Sequence, residues 1–269
     1  MAKSQLLTTQ HLSSVEAFIS SACTVFRTFP DQDSGCVSYG VQADGERLFV
    51  KAAHTARTVA SLQRALAVHE VVKHPRLIPI VHGFTTDDGL CLVYPWVDGE
   101  VLYHPTRSQR GGRARPDAPL ARFRRLPVGE ILAAVAVILD VHLAVSDAGL
   151  VAVDFYDGCT FYDFEAGSMR LCDLDEYRPG PFILEADRLP GSIRYMAPEA
   201  FRRGAVIDER TTVFSLGRAL RLLLDGGDEE GHWRGTEGQL AVVRKATASE
   251  PSDRYQTVRD LVQAWEAAG

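Results

Sequence analysis

The chemistry this sequence can offer rests first on a lysine and two aspartates. Lys51 ends the apolar run Leu48-Phe49-Val50-Lys51, and Asp154 and Asp173 stand nineteen residues apart. A lysine fixed in a strongly apolar strand holds a positive charge where anionic oxygens, such as those of phosphates, can meet it. Asp173 belongs to Cys172-Asp173-Leu174-Asp175, and magnesium takes one or two such carboxylates together with phosphates and water. An Asp-x-Asp at a strand end is also an ordinary turn motif. Its weight comes from its distance to Asp154 and to Glu199, 26 residues further on, which closes the run Gly191-Ser192-Ile193-Arg194-Tyr195-Met196-Ala197-Pro198-Glu199.

The elements that must position these residues follow from periodicity and turn chemistry. Residues 23–29, 35–43 and 47–52 read as strands, the last two joined by an Asp44-Gly45 hairpin turn. Residues 55–72 read as a helix on Val59, Leu62, Leu66 and His69, stopped at His74-Pro75. Residues 77–84 and 90–94 form a second strand pair around Asp87-Asp88-Gly89. Beyond residue 127 the chain turns helical, at 128–145, 212–224, 237–246 and 257–267, with a hairpin at 165–168. Strands first and helices later, without βαβ alternation, make the fold class α+β. Between them, residues 103–127 carry Arg107, Arg110, Arg113, Arg115, Arg122, Arg124 and Arg125, opposed only by Asp117. This stretch reads as a solvated, mobile insertion, with a patch for an anionic substrate or partner as the alternative.

With this order and spacing, the sequence resembles the protein-kinase superfamily from about Cys23 to Trp265, and the 191–199 run resembles the end of an activation segment with its Ala-Pro-Glu anchor. The resemblance implies a bilobal fold: a small β-rich N-lobe and hinge over residues 1–97 and a larger helical C-lobe over 98–269, with the arginine-rich insertion at 103–127. It implies ATP and Mg2+ or Mn2+ as cofactors. Lys51, 14 residues after Val37, takes the place of the third-strand lysine that meets the α- and β-phosphates. Gly35 and Val37 belong to the nucleotide-covering loop, and Tyr94 is the gatekeeper of a hinge in which Pro95 and Val97 present backbone groups to adenine. Asp154, in Gly149-Leu150-Val151-Ala152-Val153-Asp154, takes the place of the catalytic aspartate that orients the acceptor hydroxyl and accepts its proton. Asp173 holds the metal with Asp175, and Glu199 is expected to pair with Arg254.

Several positions depart from that pattern. Of the glycine-rich loop, residues 30–35 retain only Gly35. Phe49 replaces a small residue above adenine. Ala65 falls where the lysine-pairing glutamate is expected, and Glu70 lies about 140° round the helix, so Lys51 is expected to lack its partner. Ala152 and Val153 replace His-Arg, Tyr156 replaces a lysine, Cys159 replaces the metal-binding asparagine, and Thr212 stands where an aspartate is expected. Cysteine is a poor magnesium ligand, which leaves Asp175, and more weakly Asp157 and Asp163, as metal contacts.

Composition narrows the classes further. A net charge of −6 argues against nucleic acid as a partner. Five cysteines without a paired or zinc-like spacing fit a reducing cytosol, so a cytoplasmic protein is expected. No signal pattern opens the chain, and the most apolar stretch, 131–145, is interrupted by Asp140 and His142 and reads as a buried helix rather than a membrane span. Three functions follow. The first is a phosphotransferase resembling a Ser/Thr protein kinase, with a protein hydroxyl as acceptor. The second is a kinase of a small metabolite or antibiotic, favoured by Asp175. The third is a pseudokinase acting as a binding module.

Overall fold

The computed structural model describes residues 5–32, 34–104 and 112–269. Two compact units emerge: Met1–Glu70 with Ile78–Asp98, and Val71–Leu77 with Gly99–Gly269.

The first unit is built on a six-stranded mixed sheet. Its strands are β1 (His11–Leu12), β2 (Thr24–Phe29), β3 (Val37–Ala43), β4 (Glu46–Ala53), β5 (His82–Thr86) and β6 (Gly89–Pro95), in the order β1-β5-β6-β4-β3-β2. Only β1 and β5 pair in parallel. The β3–β4 hairpin turns on Asp44 and Gly45 at φ +50° and +84°, the positive values that a two-residue primed turn demands. Helix α1 (Val15–Ala22) starts at Ser14, whose hydroxyl accepts the Ala17 N–H at 3.2 Å. Its Val15 and Ile19 join Val41, Val50 and Val93 in a core on one face of the sheet. Helix α2 (Ala56–Val71) is capped by Thr55 Oγ1, which accepts the Thr58 N–H at 3.2 Å, and its Leu62 and Ala65 pack with Ala53 and Leu92 in a separate cluster.

The N-terminal elements lie outside the sequence expectation, although Ser14 followed by Val15, Phe18 and Ile19 is a readable helix start. The strand expected over 77–84 is shorter and later, because residues 77–81 lie outside the ladder except for a bridge from Leu77 to Leu171.

The second unit contains β7 (Glu100–Val101), α3 (Pro119–Phe123), α4 (Val128–Asp147), β8 (Leu150–Val151), β9 (Thr160–Asp163), β10 (Ser168–Leu171), β11 (Arg178–Pro179), β12 (Phe182–Ile183), β13 (Val206–Ile207), α5 (Glu209–Leu223), α6 (Glu237–Ala246) and α7 (Val258–Ala267). Capping boxes at Thr236/Gln239 and Thr257/Asp260 start α6 and α7. Gly217 lets α5 and α6 approach closely, since a Cβ there would lie 2.8 Å from the Ala246 Cβ. The fold class is α+β, with a mixed sheet and seven α-helices among the described residues.

Helix α4 is long and apolar enough to cross a membrane by length and composition alone, a test that the core helix of a folded domain also passes. It packs against α5, α7, β8 and β10, with eight of its residues buried, including His142. The arginine-rich stretch is not a solvated insertion where it is described. Arg124 is 4% exposed and donates to Leu222 O at 2.8 Å and Asp228 Oδ1 at 2.6 Å. Arg113 grips Asp157 through Nε and Nη2, at 2.5 and 2.8 Å. The opposing acids are remote in sequence, which is why counting charges within the stretch missed them. Arg107 and Arg110 lie outside the described residues.

Candidate functional site

In the first unit, β4 alternates between the two sheet faces. Leu48, Val50 and Ala52 turn to α1, so Phe49, Lys51 and Ala53 turn to α2. Lys51 is 6% exposed and lies opposite Ser38 on β3 and Leu92 on β6. The register corrects one expected contact: Val37 pairs with Ala52 and belongs to the α1 face, while Ser38 and Gly40 share the face of Lys51. A one-residue offset moves a strand side chain to the other face, and the offset is visible only across the hairpin. Tyr94, opposite Phe49, is on the Lys51 face, and the two rings lie 6.1 Å apart. Ala65 is buried in the α2 cluster and supplies no charge, while Lys51 makes an interaction of its own.

Gly35, exposed and at φ +80°, closes a short turn by donating to Gln32 O at 2.9 Å. Pro95 ends β6 opposite Leu48, and Val97 makes no backbone hydrogen bond among the described residues. Two observations bear on a nucleotide. The Ser38 hydroxyl is fully buried and has no hydrogen-bond partner among the described residues, on the rung beside Lys51. Two residues along, the space over Gly40 is filled: a Cβ there would lie 2.7 Å from the rings of both Phe26 and Trp96. A buried lysine and a buried hydroxyl thus lie side by side on this face, and aromatic rings cover the backbone two residues along.

In the second unit, Asp154 follows β8 and Asp173 follows β10. Thr212 on α5 accepts the Ala152 N–H at 3.0 Å and so fixes the backbone leading to Asp154. Asp154 and Asp173 have φ of +63° and +61°, and only two other described non-glycine residues, Asp44 and Glu230, are positive. Left-handed backbone costs most non-glycine residues about 1–2 kcal/mol, and Asp less, because its short side chain bonds locally. Cys159 lies between the two turns. Its thiol, fully buried, donates to Asp154 O at 3.3 Å and more weakly to Asp173 O at 3.8 Å, joining the two turns. Burial, then the nearby Asp173 and Asp154 charges, push the Cys159 thiol well up, so it stays a protonated donor rather than a metal ligand.

Beneath the turns, Tyr177 Oη donates to His142 Nε2 at 2.9 Å, while His142 Nδ1 donates to Ile138 O at 2.7 Å. Burial drives His142 down to about 4, only partly offset by the Ile138 bond. Gly191, at φ +137°, brings the 191–199 run against Asp154, since a Cβ there would lie 3.3 Å from Asp154 Oδ1. The expected anchor is present: Arg254 donates to both Glu199 oxygens, at 2.7 and 2.9 Å, with both side chains buried.

Of the candidate metal carboxylates, Asp173 is exposed and Asp175 is 6% exposed. Asp157 is taken by Arg113, and Asp163 caps the β9–β10 turn by accepting the Glu165 and Ala166 N–H groups, so both weaker candidates have structural work. No group of three or more metal-ligating side chains gathers among the described residues. Of these four carboxylates Asp173 is the exposed one, as a ligand to a magnesium that takes its remaining ligands from phosphates and water would have to be. Sequence reasoning missed Ser38, whose only signal was its place in the hairpin register, and the donor role of Cys159.

No protein-family model matches this sequence, and no curated protein matches it.

Proposed function

We propose that this chain is a phosphotransferase of the protein-kinase type, its two units corresponding to the two lobes, which moves the γ-phosphoryl group of ATP to an alcohol hydroxyl. Bound magnesium–ATP supplies the phosphoryl group and the metal charge that neutralises it. Lys51 and Ser38 hold phosphate oxygens, the first by charge and the second by its unpartnered hydroxyl. Asp173 offers its exposed carboxylate to the metal. Asp154 orients the acceptor hydroxyl and takes up its proton. What supports this reading most is the pair of left-handed aspartates tied through one thiol, because uncommon backbone of that kind gathers at functional sites.

The test is incubation with γ-labelled ATP and Mg2+ or Mn2+, beside Asp173→Asn and Asp154→Ala. Label on a protein or a small hydroxyl compound, lost in both variants, is the expected outcome. A binding module without transfer is the second reading, favoured by the Phe26 and Trp96 rings packed over Gly40. Nucleotide stabilisation without label would select it, and neither label nor stabilisation would reject both.

A further inference from the structure

Cys172 and Cys159 face each other at the open end of the β9–β10 hairpin. Thr160 pairs with Leu171, so the next rung of the ladder sets Cys159 opposite Cys172, and the Cys172 N–H donates to Cys159 O at 3.0 Å. Directly opposed residues of an antiparallel pair have Cα atoms about 4.5–5.5 Å apart, within the span of about 4.4–6.8 Å that a disulfide bridges. Both are free thiols. The Cys172 sulfur lies 3.7 Å from Cys159 O, and Cys172 is only half-buried, whereas Cys159 is fully buried. Cys172 is thus the more exposed of the two residues.

We propose that Cys172 and Cys159 form a peroxide-oxidisable pair that closes to a disulfide and thereby releases the thiol tie between the Asp154 and Asp173 turns. The Cys172 sulfur attacks hydrogen peroxide; an S–O bond forms, the O–O bond breaks and water leaves, giving a sulfenic acid. The Cys159 sulfur then attacks the Cys172 sulfur; the S–S bond forms, the S–O bond breaks, and a second water carries off the Cys159 proton. Two thiols lose two electrons in all, and one peroxide becomes two waters. The disulfide has no S–H, so Asp154 O and Asp173 O both lose their donor. Only the further consequence, control of phosphoryl transfer, rests on the proposed function.

Arg170 lies between the two cysteines, so trypsin separates them unless they are joined. The full chain is treated with hydrogen peroxide, digested without reductant and mapped by mass spectrometry, while amide exchange is followed over residues 152–158 and 172–176. The expected result is a cross-linked peptide pair that a thiol reductant reverses. It is absent in Cys172→Ser, a substitution at a half-buried site that needs no repacking, and faster exchange in both turns accompanies it. Oxygen added to Cys172 without a cross-link, a cross-link to Cys23, Cys36 or Cys91 instead, or unchanged exchange in the cross-linked protein would each overturn the proposal. Absence of any magnesium–ATP stabilisation in the reduced protein sinks the proposed function and leaves the cross-link result standing.

Discussion

Ser38 shows how much one atom can decide. A buried hydroxyl without a partner costs about 1–3 kcal/mol, so Ser38→Ala should raise the stability of the ligand-free protein. If the hydroxyl serves a phosphate, the same substitution should shrink the thermal shift caused by magnesium–ATP. A variant more stable alone yet less stabilised by nucleotide is the expected result of paired melting curves, and an unchanged nucleotide shift would remove Ser38 from the site. Lys51 stood out in the sequence because a lysine in an apolar strand is unusual by type, whereas Asp154 and Asp173 stood out only by their spacing to each other and to Glu199. Val37 was misassigned because spacing alone does not reveal which face a strand residue takes. The role of Cys159 was illegible for a different reason: its acceptors are backbone carbonyls, which every residue possesses.

Among the elements, the 3₁₀ turn carrying Glu199 is tied to the segment before α7 by one guanidinium. Arg254 also donates to Ala248 O, Ser249 O and Arg210 O, so its removal leaves a buried carboxylate with only the Thr211 hydroxyl and takes a donor from three carbonyls. Arg254→Met should cost about 3–5 kcal/mol in urea unfolding, and Arg124→Gln about 3 kcal/mol, whereas Arg122→Gln, at the half-exposed pair with Glu100, should cost less than about 1 kcal/mol. Equal losses for Arg122 and Arg124 would contradict the burial that separates them. Helices α2 and α4 to α7 were readable because caps and apolar spacing are local. Strand β1 was not, since two residues in parallel at a sheet edge leave no pattern of their own, and the arginine stretch was misread because Asp157 and Asp228 come from far along the chain.

For the molecule as a whole, acid is the condition under which these buried groups act together. His142 is held down to about 4 by burial, so its folded pKa lies below its unfolded value near 6.5. The stability from keeping it neutral is present above about pH 6.5 and is lost as pH falls toward 4, up to roughly 3 kcal/mol in all. Burial would raise Glu199, but the Arg254 hydrogen bonds outweigh it and hold its carboxyl below the usual range. Its contribution is present above the ordinary glutamate pKa and disappears at lower pH than that of His142. The double variant His142→Leu with Tyr177→Phe removes the titrating ring without stranding the Tyr177 hydroxyl, and should flatten the loss between pH 6.5 and 4 in denaturant titrations; an unaltered slope would exclude His142 as its source.

Helix α4 gives any loosening of the second unit a consequence in the cell. Its twenty residues meet a membrane span's length and hydropathy, and in the folded chain eight of them are buried against its neighbours. A weakened variant such as Arg254→Met should therefore collect in the membrane fraction or pellet of lysed cells. The same variant with a lysine placed at Val135, inside that helix, should move instead to the soluble degradation products, which would mark α4 as the segment that directs the misfolded chain.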